Sequence, residues 1–535
     1  MANNTEFDTI IIGGGSAGCV LAARLSEDSG HRVALIEAGP SDATRWVSVP
    51  AGLVGTVSTH RLNWAFDTVP QPGLGGRCGY QPRGKVLGGS SSINAMIYIR
   101  GHRSDYDDWA SAGCTGWSHD DVLPYFIRSE GNTVPGVDPQ WHGTKGPLKV
   151  SPLRSPNDFN RYFLDAAVEC GHTLCSDFNG PVQDGVGMYQ VTQDAGERCN
   201  AARAYLGPAL TRPNLQVVLG ATARRIVFDG DRASGVELLQ DGVIRTLTAR
   251  AGVIVAAGTF GSPQLLMLSG IGDGAALQQL GIATRVDRPA VGANLQDHLD
   301  CTMARREADP RLFGISPGGL WRMWRQWQLY QRERRGALST NFAESGGFLR
   351  TLPDLDRPDV QWHFLIAMVD QHGRRRHLGH GFSMHACVLR PRSRGTVRLA
   401  SPDAQAAPLI DPGFLSHPDD LQTLLRAYRA TAALLRTQAL APHAGRPLHP
   451  EPALGDDAAI ERFMRERADT IYHPVGTCRM GSDDDAVLDP QLRVRGVRGL
   501  HVIDASVMPT LVGGNTNAPT LMIAEKAADL LRRAP

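Results

Sequence analysis

The stretch from Asp8 to Gly39 constrains this chain more than any other. "DTIII" reads as a short buried strand, "GGGSAG" follows at once, "CVLAARLSED" sets apolar residues at helical spacing, and "HRVALIEAG" reads as a second strand. The result is one β-α-β unit with Gly13, Gly15 and Gly18 in a GxGxxG pattern at its first turn. The first glycine permits the tight turn, the second lets backbone approach a pyrophosphate, and the third brings helix and strand close. The helix N-terminus then faces an anion. Glu37 closes the second strand about twenty residues on, where a carboxylate accepts ribose hydroxyls. Glycines alone are a weak signal, but strand, glycines, helix, strand and acid in this order predict a dinucleotide site. The unit leaves both NAD and FAD open.

A chain of 535 residues exceeds one ordinary core, so two or more folded regions are expected. Its 55 basic and 54 acidic residues leave a formal charge of +1. With no basic excess to neutralise a phosphate backbone, no nucleic-acid partner is expected. The 9 cysteines stand singly without a CxxC pair, so neither a disulfide framework nor a metal site is predicted. The start, "MANNTEFDTIIIGGG", lacks a charged, signal-like segment. No run of about 18 apolar residues predicts a spanning helix. A reducing, cytoplasmic location is the default expectation.

Nucleotide-fold character returns three times: in "RGKVLGGSSSINAMIYIRG" (83–101), in "VIVAAGTFGSPQLLMLSGIG" (253–272) and in "LHVIDASVMPTLVGGNTNAPTLMIAEKAADLL" (500–531). Residues 306–470 differ, with strand-like runs such as "DVQWHFLIAMV" and an amphipathic helix in "DDLQTLLRAYRATAALLRTQAL". We therefore expect an α/β chain with a discontinuous Rossmann-like domain made of 1–155, 206–305 and 471–535. Residues 156–205 link it to an α+β substrate domain, 306–470, in which helices cover an antiparallel sheet.

Together with "YHPVGTCRMG" and "VIDASVMP", these segments resemble the glucose-methanol-choline family of flavoprotein oxidoreductases over essentially the whole chain. "LNWAF", "NLQDHLD", "NFAESGGF" and "IYHPVGTCRMG" look most like its bacterial membrane-associated aliphatic alcohol dehydrogenases, with choline dehydrogenases next. The resemblance implies FAD, with Gly13, Gly15 and Gly18 at the pyrophosphate, Glu37 at the adenosine ribose, and Ser16, Ala17 and Ala38 among the other cofactor-binding residues. Ala223 falls at the adenine contact. Gly89, Ser90, Asn94, Ala95 and Ile97 would line the flavin, Asp504, Ala505 and Thr520 would close it from the C-terminal side, and Trp64, Leu87 and Met96 are also expected to bind the cofactor. The C-terminal helix would aim its positive end at the flavin pyrimidine. Some members attach FAD covalently through a histidine where this chain has Ile93, so the cofactor is expected to be non-covalent.

The resemblance also gives His473 a task. Alcohol oxidation removes a hydroxyl proton and a hydride, the latter passing to flavin N5, and a neutral histidine suits the proton. Asn517, in "NTNAPT", matches a second position that orients the substrate oxygen, although an asparagine there is also a favoured helix cap. The expected activity is oxidation of primary alcohols to aldehydes, with a quinone or oxygen as electron acceptor. A choline dehydrogenase-like enzyme, an oxygen-using alcohol oxidase and an FAD-containing hydroxynitrile lyase are the alternatives. Glu344, near the choline head group in choline-handling members, reads as structural support. His377, His380 and His385 lie in a loop-like stretch without an acidic partner. Residues 320–335 carry Leu320, Met323, Trp324, Trp327 and Tyr330 on one helical face and Arg322, Arg325 and Arg332 on the other. That face either docks on the protein or rests on a membrane surface.

Overall fold

The structure, a computed structural model, describes residues 5–533. β1 (Glu6–Ile12) enters the glycine turn, α1 (Ser16–Leu25) leaves it, and β2 (Val33–Ile36) returns parallel to β1 with Ile12 opposite Ile36. All four residues of β2 are buried, as a strand covered on both faces requires. β3 (Leu215–Val218) adds outside β2 in parallel. β4 (Ala221–Asp229), β5 (Arg232–Gln240) and β6 (Val243–Val255) form an antiparallel meander on the other side of β1. The end of β6 joins the parallel layer, pairing β1 through Val255 and Ile12 and the strand Leu500–Val502 through Val253 and Leu500. This seven-stranded sheet is thus assembled from opposite ends of the chain. α2 (Gly258–Leu268) follows β6 directly.

The C-terminal helix, Asn517–Arg533, packs against α1. Glu525, fully buried on it, takes Arg24 of α1 at 2.8 Å, Arg128 at 2.8 Å and the Tyr205 hydroxyl at 2.9 Å. A buried carboxylate needs such partners, and these tie the last helix to the first.

A second seven-stranded sheet is antiparallel throughout. It runs from Asp469–Thr470 through β7 (Leu299–Glu307), β10 (Gly379–Val388), β9 (Val360–Leu365) and β8 (Ala343–Leu349) to Gly185–Met188. The helix Pro418–Leu434 covers it with Leu424, Leu425 and Tyr428, and Thr431 accepts the Trp362 indole N–H at 2.9 Å. The α/β first layer and helix-covered antiparallel sheet are those expected. The stretch holding His380 and His385 is not a loop, however. Both lie on β10, where alternate side chains reach opposite faces.

No helix among the described residues is long and apolar enough to cross a membrane. The aromatic helix Pro317–Glu333 docks through only part of the expected face. Tyr330 is buried and donates its hydroxyl to Gly196 O at 3.1 Å, whereas Trp324 is 56% exposed and Trp321, outside that face, is 62% exposed.

Candidate active site

A cavity of about 1550 Å³ is lined from both sheets. Gly13, Gly15, Ser16, Ala17, Glu37 and Ala38 line it, as do Trp64, Gly89, Ser90, Asn94, Ala95, Met96 and Ile97. Ala223, Asp504, Ala505, Thr520, His473 and Asn517 also reach it. Gly18 and Leu87 do not lie on its wall. A methyl on Gly18 would fall 1.9 Å from Gly13 O, and one on Gly14 would meet Leu87 Cδ1 at 3.1 Å, so both residues shape the glycine turn from behind.

That turn is built to receive a ligand. Gly13 holds φ +107°, a conformation side chains resist, while Gly15 has open space with nothing nearer than Gly89 Cα at 3.9 Å. No side chain caps α1, which leaves its leading amides free for an anion. Glu37 accepts the Gly14 amide at 2.9 Å and the Gly39 amide at 2.7 Å. Burial nevertheless pushes its carboxyl up to about 7, against the pull of those amides and Lys85. Asp504 accepts the Gly258 and Ser506 amides, both at 2.8 Å, and the Ser262 hydroxyl at 2.5 Å. It therefore pins the start of α2 to the segment that presents Ala505. Ile93 is buried on the cavity wall and offers no nucleophile.

His473 sits in a tight turn between Tyr472 at φ +75° and Gly476 at φ +93°. Its amide donates to Asp297 Oδ1 at 2.9 Å. Thr259 clamps the following residues, donating its hydroxyl to Pro474 O at 2.7 Å and accepting that of Thr477 at 2.6 Å. The imidazole is fixed at both nitrogens. Nδ1 lies 3.0 Å from Nδ1 of His298, and Nε2 lies 3.1 Å from the side-chain amide of Asn515. Burial, with His298 and Arg83 nearby, pushes its pKa well below 6.5, so the ring is neutral at pH 7.

Asn515, not Asn517, meets His473. Asn517 is the first residue of the C-terminal helix, and its Oδ1 accepts the Ser16 hydroxyl at 2.8 Å, bridging the starts of two helices. Asn515 lies in the loop before it, where Gln361 donates to its Oδ1 at 3.3 Å and leaves the NH2 for His473. The motif "NTN" holds two asparagines, and only the position of the helix start decides between them. Asp297 and His298, in "NLQDHLD", are further residues that sequence reasoning left unassigned.

Glu344 is fully buried off the cavity wall, where the Asn157 amide, Asn160 and the Thr340 hydroxyl hold its carboxylate at 2.7, 2.6 and 2.5 Å. Its role is structural. His385 and His377 do have acidic partners, Asp300 at 2.5 Å and Asp370 at 2.8 Å.

The described geometry fits a dinucleotide cofactor: uncapped amides, open space over Gly15 and a carboxylate at the end of β2 share one cavity with a buried histidine. The chain is similar to known proteins over nearly its whole length. The chain is 45% identical to an alcohol dehydrogenase [acceptor] of Pseudomonas putida over 98% of its length and 96% of the relative's. It is 42% identical to an oxygen-dependent choline dehydrogenase of Rhizobium rhizogenes, covering 99% and 96%. A solved structure concerned with FAD modification in Aspergillus oryzae formate oxidase superposes with a TM-score of 0.92 at 25% identity, covering 99% of both chains. GMC oxidoreductase sequence patterns match residues 7–300 and 391–524, the parts that build the glycine turn and the His473 turn, and the chain belongs to the GMC oxidoreductase family.

Proposed function

We propose that this protein oxidises primary alcohols to aldehydes with FAD, His473 taking the hydroxyl proton at Nε2 and Asn515 orienting the substrate oxygen. The observation that carries this reading is the 3.1 Å contact of His473 Nε2 with the Asn515 amide on the wall of the cavity that begins at the glycine turn. When bound, FAD supplies the acceptor for the hydride that leaves the carbinol carbon. Burial keeps His473 neutral, so its Nε2 offers a lone pair to a hydroxyl proton. A hydroxyl between the two side chains donates to that lone pair and accepts from the Asn515 NH2, which sets its carbon in a defined position. Gly13, Gly15, Ser16 and Glu37 are the residues that would hold the pyrophosphate and ribose, and Ala95, Asn94 and Thr520 those beside the flavin.

The remaining walls support a substrate class. Phe342, Leu365, Met368 and Val369 are apolar, whereas Arg374, Arg375, Arg376 and Arg467 also line the cavity. An uncharged aliphatic alcohol suits this lining. Choline is the second reading, favoured by the similarity to choline dehydrogenases. Against it, Glu344 is off the wall and Asp300 gives one oxygen to His385; in its favour, Asp300 Oδ1 has no partner among the described residues and Glu466 also lines the cavity.

For the electron acceptor we favour a membrane quinone. Trp321 and Trp324 stand exposed on the aromatic helix, and Ile315, one residue before its cap, lines the cavity and bridges to Leu378, which is 74% exposed. Arg325 stacks on Trp321 at 4.9 Å. Aromatic and aliphatic side chains among arginines, beside the cavity, suit an anionic lipid surface.

The test is to mix FAD-loaded protein with medium-chain primary alcohols without oxygen and follow flavin absorbance. The expected result is bleaching, slowed by about a hundred-fold or more in His473→Ala and by about ten-fold in Asn515→Ala, while Asn517→Ala chiefly weakens FAD binding. Adding a quinone analogue or air then identifies the acceptor. Absence of bleaching with every alcohol, together with cyanide release from a cyanohydrin, would replace this reading by a lyase.

A further inference from the structure

We propose that His298 is the positioning residue of the site, fixing His473 in the tautomer that leaves a lone pair on Nε2. The inference rests on the reading of His473 as the base and names what makes it one.

The backbone brings the pair together. Residues 294–298, "NLQDH", and 470–476, "TIYHPVG", run antiparallel: the Gln296 amide donates to Val475 O at 3.1 Å, Val475 returns the bond at 2.9 Å, and Ile471 donates to His298 O at 3.1 Å. Asp297 braces the turn from the same segment, accepting the His473 amide at 2.9 Å and the Thr470 hydroxyl at 2.5 Å. Between these bonds the two imidazoles meet nearly perpendicular, at 89°, with their Nδ1 atoms 3.0 Å apart.

Two ring nitrogens at that distance share one proton. Were His298 the donor, neutral His473 would carry its own proton on Nε2, facing the Asn515 NH2 at 3.1 Å with donor against donor. Gln361 donates to the Asn515 oxygen at 3.3 Å, which turns the NH2 rather than the oxygen toward His473. The Asn515 contact is satisfied when His473 donates from Nδ1, His298 accepts, and Nε2 of His473 is bare. His298 is then a neutral acceptor with its proton on Nε2, a buried nitrogen with no hydrogen-bond partner among the described residues, although the backbone of Leu389 and Val512 nearby favours a proton on the ring. Burial, with Arg390 and His363 nearby, brings its pKa down to about 3, so it remains an acceptor through the working range. On the other side of the pair, Arg83 opposes charge on His473, while Asp297 engages only its backbone. Once Nε2 has gained the substrate proton, the bond from Nδ1 to His298 becomes charge-assisted and therefore stronger. His298 thus stabilises the state that forms during reaction more than the resting state, which is where an interaction accelerates the chemistry.

The experiment compares His298→Asn, whose amide oxygen can accept the same bond, with His298→Leu, which removes the acceptor. Anaerobic flavin reduction by a primary alcohol is expected to slow by about ten- to a hundred-fold in His298→Leu and by only a few-fold in His298→Asn, with KM, FAD content and Tm near wild type. Histidine ¹⁵N NMR of the FAD-loaded protein provides a readout that needs no turnover. Wild type and His298→Asn are expected to hold His473 protonated at Nδ1 and bare at Nε2, and His298→Leu to show a mixture. Equal reduction rates in wild type and His298→Leu would overturn the proposal, as would a wild-type His473 protonated at Nε2. Loss of rate in both variants in parallel with lost FAD and lowered Tm would reduce His298 to packing and also overturn it. Full activity in His473→Ala would instead sink the base reading, while the tautomer spectrum still reported on the pair.

Discussion

Glu37 ends β2 with each carboxylate oxygen on a backbone amide, yet burial lifts its pKa from 4.5 to about 7. Between those values the folded apoprotein holds a proton that the unfolded chain has released. The group's contribution to apoprotein stability therefore falls as pH rises through that window. Ribose hydroxyls donating to the carboxylate favour its charged form, so FAD binding should expel the proton. Affinity for FAD is expected to strengthen by up to about ten-fold per pH unit from pH 5.5 to about 7 and then level off. Titrating apoprotein with FAD by fluorescence quenching checks this, and Glu37→Gln should bind more weakly with a flat profile. Equal affinity at pH 5.5 and 8 would show that Glu37 does not control the site. This carboxylate was legible because its spacing from the glycines is set by one local unit. His473 was legible through its motif, but its partners were not: His298 lies 175 residues away and reaches it only through loop pairing. Asn515 and Asn517 differ by two positions, which places one in a loop facing His473 and the other in a helical turn facing Ser16.

At the scale of elements, periodicity located the helices and the alternating strands but not which faces they would cover. The aromatic helix illustrates the difference. Its C-terminal half reads as a docking face and does dock, with Tyr330 inside and Arg45 over Trp327 at 5.4 Å. In the N-terminal half Trp324 follows the same period yet stays 56% exposed, and Trp321, off that face, is 62% exposed. In water such side chains give up most of the free energy of burial, about 25 cal/mol for each Å² left exposed. A lipid interface would recover it, and neighbouring arginines would add an attraction that salt screens. The protein is therefore expected to sediment with vesicles containing anionic lipid at low salt, and less at high salt or with neutral lipid. Trp321→Ala/Trp324→Ala should lose that binding by about ten-fold or more while reducing flavin at the wild-type rate. Wild type that stays in the supernatant at low salt would eliminate the membrane-facing role. β10 marks the opposite limit of sequence reading. "GHGFSMHACV" mixes glycine and histidine into a strand, and only its neighbours β7 and β9, on either side of it in the sheet, make it one.

The molecule as a whole has two principal apolar cores, one around the parallel layer and one under the antiparallel sheet, with the cavity lined from both. Chain crossings such as the Arg24–Glu525 pair, 501 residues apart, fasten the first and last helices of one core to each other. A cofactor in the cavity would touch the glycine turn, the 89–97 segment and the C-terminal helix start together, and so add a bridge that the empty protein must do without. Ligand binding to the folded state alone stabilises by about 2.7 kcal/mol when free ligand is a hundred times Kd. The apoprotein is therefore expected to melt at lower temperature than the holoprotein, with a Tm that rises with added FAD. That bridge should be non-covalent, because Ile93 presents only hydrocarbon to the cavity. Acid precipitation of holoprotein should leave the flavin absorbance in the supernatant and none in the washed pellet. Flavin retained on the pelleted chain would require another side chain as the attachment point. A Tm indifferent to FAD would mean that these three segments hold together without the bridge, and that the cofactor contributes chemistry but no stability.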